Sequence, residues 1–251
     1  MAWIESVSPS FSARHDSSQT DAAAALLGSL EHTRDRLNEV FPRTPGGITL
    51  VLHRDTLSLS LSNPALPLLW LATAPAARRY VAGWAGNDEL HMLTPEALAG
   101  RASNVPGSRE MLELTAPALY ARRVVAENNA DLAHSFTPRR LRAELRWAWL
   151  LEGAGRWLSG QTEHARPAIA RRLREGKRPS FPPRLRDAAL LGGTVIDLLA
   201  QEQGQAAAKR LMTRLHPDGP RAALQEAFAP RLLLHSEGAW RSHLARLASA
   251  G

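Results

Sequence analysis

Glu127 and Glu152, with Asp131 and His134 close to the first of them in sequence, are the residues of this 251-residue chain whose types could support chemistry. Carboxylates and an imidazole can hold a divalent cation or move a proton, and a displaced metal site made by Glu127, Asp131, His134 and Glu152 is one reading of them. The plainer reading leaves His134 near a helix end, where the helix dipole favours it, and pairs Glu152 with a neighbouring arginine such as Arg123 or Arg156. Other chemistries find no support. The chain has no cysteine, which excludes thiol catalysis, disulfides and thiolate metal sites. No serine stands in a G-x-S-x-G turn and the histidines have no triad spacing. Gly46-Gly47 and Gly192-Gly193 lack the lysine of a phosphate loop and the full dinucleotide fingerprint.

The elements that must position these residues change character along the chain. In the first part, Ser10 to His15 alternates as a strand does, and Thr20 to Phe41 carries Ala23, Leu26, Leu27, Leu30, Leu37 and Val40 at helical spacing. Ile48 to His53 is a β-branched and apolar run bounded by turn residues, which predicts a buried strand. Pro64 to Ala77 is punctuated by proline and reads as irregular. Tyr80 to Trp84 and Glu89 to Leu93 flank Gly86-Asn87-Asp88, predicting a hairpin. After Thr94-Pro95, a helix-starting pair, helical patterns dominate. Ser108 to His134 predicts one long helix and Thr137 to Leu158 a second, packed against the first. Arg166 to Arg186 predicts a short helix and a loop. Asp187 to Ala200, Gln203 to Leu215, Arg221 to Phe228 and Ser236 to Leu247 predict four more helices.

Trp149-Leu-Leu-Glu-Gly-Ala-Gly-Arg-Trp-Leu-Ser-Gly160 resembles the third-ligand helix of the gluzincin zinc peptidases, with Glu152 in the ligand position. In that family a preceding helix presents H-E-x-x-H, two histidines four apart on one face with a glutamate that polarises the metal-bound water. Val125-Ala-Glu-Asn-Asn-Ala130 has the frame of that motif with alanine in both histidine places. Leu190 to Gly204, with its Gly192-Gly193 pair, and Glu237-Gly-Ala-Trp-Arg-Ser-His-Leu244 are similar to the two later helices of such peptidases. Together these stretches cover most of the region from about residue 110 to the end.

The resemblance implies an α+β fold: an N-terminal α/β subdomain, residues 1–105, followed by a helical thermolysin-like (zincin) subdomain, residues 106–251. It makes Ala126, Ala130 and Glu152 vestigial zinc-ligand positions and Glu127 a vestigial general-base position. Alanine offers a metal no lone pair, so no cofactor is expected, and the implied protein is a catalytically inactive pseudo-peptidase with a binding or regulatory role, its partner a peptide or protein in the cleft between the subdomains. An active hydrolase with zinc held by the displaced ligands Asp131, His134 and Glu152 is the first alternative. The second is an arginine-mediated nucleic-acid binder, since from Arg139 to Arg186 basic residues outnumber acidic ones thirteen to four. The net charge of +7 rests on 31 basic residues of which only Lys177 and Lys209 are lysine, a pattern a solvated surface explains as well. Trp147, Trp149 and Trp157 share one predicted helix and suit a core better than base stacking. No apolar run is long enough for a membrane span and no leader precedes the first elements, so a soluble cytoplasmic protein is expected.

Overall fold

A computed structural model describes residues 3–130, 132 and 137–249. Five strands are followed or separated by fifteen α-helices among these residues. The strands are β1 (Trp3–Val7), β2 (Phe11–Asp16), β3 (Ile48–His53), β4 (Gly83–Ala85) and β5 (Glu89–Leu93). The helices of the first part are α1 (Thr20–Asn38), α2 (Thr56–Ser62), α3 (Leu66–Ala72), α4 (Pro75–Arg78) and α5 (Pro95–Arg101). Next come α6 (Ser108–Glu113), α7 (Thr115–Glu127), α8 (Pro138–Arg146), α9 (Ala148–Leu158), α10 (Gln161–His164) and α11 (Arg166–Arg174). The chain closes with α12 (Leu185–Gln203), α13 (Gln205–Thr213), α14 (Pro220–Ala227) and α15 (Leu233–Ser249). The fold is therefore mixed α+β. No described helix is long and apolar enough to cross a membrane.

One sheet holds all five strands in the order β1-β2-β3-β5-β4. β2, β3 and β5 run parallel, with Leu50 opposite Ala13 on one side and opposite Leu90 on the other. β1 and β4 add antiparallel edges. Ile48 to His53 is buried along nearly its whole length, as a central parallel strand must be when both faces are covered. The Glu89–Leu93 hairpin forms with its partner shortened to Gly83–Ala85. β1, which alternates between exposed and half-buried residues on an edge, has too short and too polar a pattern to be predicted.

Three predictions are corrected. Pro64 to Ala77 is helical rather than irregular, because Pro67 and Pro75 sit in the first turns of α3 and α4, where a missing N–H costs nothing. The helix expected from Ser108 to His134 breaks at Leu114, which places Pro117 in the first turn of α7, and α7 ends at Glu127. The helix expected from Thr137 to Leu158 breaks at Trp147. α8, capped by Thr137 as predicted, buries no residue, whereas α9 enters the core with Ala148, Trp149, Leu150 and Leu151. A change of direction at Trp147 lets one segment stay at the surface while the next turns inward.

The buried apolar residues form one continuous cluster from Phe11 on the sheet to Leu244 on α15. α7 lies at its middle, packed on α1, β4 and β5 on one side and on α9 on the other. Tyr120 of α7 meets Phe11 edge-on at 5.0 Å and donates to the Pro45 carbonyl at 3.0 Å, fixing the helix to the sheet. α9 in turn packs along α12.

Candidate functional site

A cavity of about 480 Å³ opens where the β4 edge of the sheet faces α7, α9 and α12, with α3 and α8 at its mouth. Its walls are mostly apolar, from Leu69 and Val81 through Leu119 to Ala188. Glu152, Arg122, Glu144, Arg156 and Gln161 supply its polar groups. Leu68, Leu141 and Leu145 stand exposed at its rim. A mainly apolar hollow with a few convergent polar groups is the usual form of a ligand site.

The sequence Glu152-Gly-Ala-Gly155 positions the carboxylate by what it lacks. A Cβ at Gly153 would collide with the backbone of Gly192 and Gly193, and one at Gly192 with the Trp149 carbonyl, so α9 and α12 cross at backbone contact. On the other flank, a Cβ at Gly155 would strike the Ala118 carbonyl and sit 3.2 Å from the Arg122 Cβ. α7 therefore lies equally close. Clamped between two helices, Glu152 can point only along the cavity wall shared with α7.

There it meets Arg122. The guanidinium Nε donates to Glu152 Oε1 at 2.8 Å, and its NH2 lies 3.8 Å from Glu144 Oε2. Glu144 also accepts from Arg140 Nε at 2.9 Å, and Arg140 reaches the Asn87 side chain at 2.8 Å. The expected arginine partners of Glu152 are thus corrected. Arg123 instead pairs with Glu127 at 2.8 Å and donates to the Asn87 carbonyl, and Arg156 lies one turn farther along α9.

The A-E-x-x-A frame lies across the end of α7. Ala126 is buried in the last turn of α7, but Ala130 lies beyond the helix end, exposed in a turn. Asn128 and Asn129 end the helix: Asn129 donates its side-chain amide to the Val125 and Met212 carbonyls, an alternative to continuing the helical ladder. Ala126 and Ala130 therefore do not share a helical face, and neither lines the cavity with Glu152. Asp131 and His134 lie outside the described residues, as does any site built on them. Among the described residues no group of three or more histidine, aspartate or glutamate side chains could hold a metal ion. The α7 residues that do line the cavity with Glu152 are Thr115, Ala118, Leu119 and Arg122, and of these Arg122 pairs with it. An arginine is not a metal ligand, so a search for ligands passes over it. The signal for it is the glycine at 155, which marks where α7 must come close.

The β4 edge supplies backbone groups. Gly86 donates to the Glu89 carbonyl and Leu93 to the Ala82 carbonyl, so the alternation of an antiparallel pair turns Trp84 toward β5 and Gly83 and Ala85 outward. Both outward residues line the cavity. Trp84 is held by its indole N–H on the Ser62 hydroxyl at 2.9 Å and by stacking on His91 at 4.2 Å. Trp70 donates to the Val81 carbonyl at 2.9 Å and so holds α3 over the same edge.

A second cluster lies across the sheet. His53 Nε2 and His91 Nδ1 are 3.0 Å apart, and His91 Nε2 is 3.0 Å from Glu89 Oε2. Burial, reinforced by the neighbouring His91, pushes the His53 pKa down to about 4. Burial also lowers the His91 pKa, against the pull of Glu89. The unfolded chain, with histidine near 6.5, binds the proton that the folded chain refuses. Stability contributed by neutral His53 is fully present above pH 6.5 and is lost as pH falls from 6.5 towards 4. The loss should approach roughly 3.5 kcal/mol at about 1.4 kcal/mol per unit. Thermal unfolding at pH 7.5, 5.5 and 4.5 should show this decline, and His53→Gln should flatten it. An equal decline in that variant would assign the effect to other groups.

No protein-family model matches the chain, and neither a curated protein nor a solved structure matches it.

Proposed function

We propose that this chain is a non-hydrolytic relative of the gluzincin peptidases whose cleft between sheet and helices binds an extended, apolar segment of a peptide or protein. The observation that carries the reading is the mainly apolar cavity of about 480 Å³, with the 2.8 Å ion pair between Arg122 and Glu152 in its wall. Placed on α7 rather than across its end, the motif frame runs from Ala118 to Arg122, with Leu119 where the catalytic glutamate would stand. The separation of 30 residues between Arg122 and Glu152 is longer than the twenty or so of the family pattern, and α8 lies in the interval. A methyl group and a guanidinium cannot ligate zinc, and leucine cannot polarise water. The guanidinium supplies Glu152 with the positive charge that a metal ion would otherwise provide. What the cleft retains is a binding surface: the outward N–H and C=O groups of Gly83 and Ala85, apolar walls, and exposed leucines at the mouth. An added strand is the occupant that uses both the backbone groups and the walls.

Two measurements test this. An extended apolar peptide should bind, and proline substitution at its central residues should weaken it about tenfold or more by removing strand hydrogen bonds. Equal binding of the proline peptide removes the strand-addition geometry. Elemental analysis should find no stoichiometric zinc in the unaltered chain, whereas Ala118→His with Arg122→His restores two imidazoles beside Glu152 and should take up zinc. A folded double variant that stays zinc-free removes the motif frame on α7. Stoichiometric zinc in the unaltered chain that His134→Ala abolishes supports the displaced-ligand hydrolase instead.

A further inference from the structure

We infer that the ligand of this cleft carries a carboxylate at the end of an apolar body, and that the carboxylate docks on Arg156. The inference rests on the cavity being a binding site, and it names the chemistry of the occupant. Arg156 lies on α9 one turn beyond Glu152, lines the cavity, and has 7% of its surface exposed. Its NH1 donates to Gln161 Oε1 at 2.9 Å and its NH2 to the Tyr80 carbonyl at 3.0 Å, both uncharged partners. Its Nε has no hydrogen-bond partner.

A buried guanidinium normally has a carboxylate beside it, because taking the charge out of water is otherwise uncompensated. Here the carboxylates of the cavity are already engaged. Glu152 holds Arg122 at 2.8 Å and Glu144 holds Arg140 at 2.9 Å, and no described carboxylate forms an ion pair with Arg156. Arg122 and Arg156 equal Glu144 and Glu152 in number along the cavity wall, but Arg140, from outside the wall, takes up Glu144, and Arg156 is left without a carboxylate partner among the described residues. Burial lowers the Arg156 pKa from its usual range, while Glu152, at longer range, opposes that shift. A singly charged anion would settle this group and accept from it in a low-dielectric site.

The walls select what the anion is attached to. Apart from Arg122, which Glu152 already holds, the walls built of Leu69, Val81, Ala82, Leu119 and Ala188 offer no further cation for a doubly charged phosphate. They do suit aliphatic side chains or an alkyl tail in the same cavity, at whose rim Leu68, Leu141 and Leu145 stand exposed. A peptide entering along β4 with its free C-terminus foremost has this chemistry, and so does a fatty acid.

Titration calorimetry with the full chain separates them, using an apolar tetrapeptide as free acid, the same peptide as C-terminal amide, and decanoate. The acid should bind about tenfold or more tightly than the amide, the loss expected when a charge-assisted pair is removed. Arg156→Gln should erase the difference and Arg156→Lys should keep part of it, each checked for a cooperative melt. The acid-to-amide ratio on the unaltered chain carries the test even where a variant does not fold. Binding of the acid alone makes a peptide C-terminus the source, and Arg156-dependent binding of decanoate alone makes it a fatty acid. The second result would keep the carboxylate site while removing the peptide reading. Acid and amide binding equally would overturn the inference and leave the peptide cleft standing. If none of the three binds, both fall.

Discussion

Asp187→Ala should lower the melting temperature by roughly 6–20 °C, the equivalent of about 3–5 kcal/mol for a buried ion pair broken on one side in a chain of this size. Arg172 is 1% exposed and grips Asp187 from both sides, Nε to Oδ1 at 2.5 Å and NH2 to Oδ2 at 3.0 Å. Its NH1 donates to the Lys177 carbonyl at 2.9 Å. Removing the carboxylate leaves the guanidinium buried with one partner. Glu175 is the nearest substitute, 3.9 Å from Arg172, but its Oε1 already accepts from the Ala76 N–H at 2.8 Å and it also lies 3.9 Å from Arg186. Swinging it inward would uncap α4, which argues for the lower half of the range rather than for no effect. The double variant Arg172→Met with Asp187→Ala should recover much of the loss, because an apolar pair of similar volume carries no desolvated charge. Differential scanning fluorimetry across the three variants checks this, and a double variant no more stable than Asp187→Ala would show that the cost is packing rather than charge. The pair also matters to the cleft. Asp187 anchors the first turn of α12, from which Leu185, Ala188 and Ala189 line the cavity, so ligand affinity should fall together with stability.

How far the sequence discloses this molecule depends on what each pattern encodes. α1, β3 and α12 are legible because apolar pattern and burial agree, and the start of α8 because Thr137 caps it ahead of Pro138. Proline misleads at Pro67 and Pro75, where the residue that breaks a helix interior begins a helix instead. The place of Glu152 is legible from the E-G-A-G run, since two glycines around a carboxylate mark close helix crossings. Its partner is not. A frame of small residues around a glutamate recurs in any alanine-rich segment, and Ala126 to Ala130 spans a helix end that Asn128-Asn129 announces more clearly than the alanines announce a metal site. The arginines are hardest to place from composition. Arg140, Arg146, Arg156 and Arg172 lie within the basic stretch yet spend their donors on Glu144, the Asp218 carbonyl, Gln161 and Asp187. A count of charges in sequence therefore overstates the cationic surface left for a polyanion.

The crossing of α9 and α12 makes the second large expectation. Gly192→Ala places a methyl group against the Trp149 carbonyl and the Gly153 Cα and N, all backbone atoms, with no side chain that can rotate away. Only a shift of one helix relieves the contact, and both helices are buried along most of their length. In an isolated helix the same change would stabilise by about 1 kcal/mol, because alanine is the better helix former. Overpacking of a tight core costs about 1–3 kcal/mol, occasionally more, and contact between two backbones belongs at the upper end. The net result should be a melting temperature lower by roughly 4–12 °C, with the sign opposite to propensity. Gly28→Ala on α1, where an added methyl group meets nothing within 4 Å, is the matched control and should be neutral or stabilising. Because α9 carries Glu152 and Arg156, a displaced crossing also moves both charges relative to Arg122 and β4. Ligand affinity measured well below the melting temperature should therefore fall in Gly192→Ala and not in Gly28→Ala. Unchanged stability in Gly192→Ala would mean that α9 and α12 have room to part, and the fixed position assigned to Glu152 would go with it.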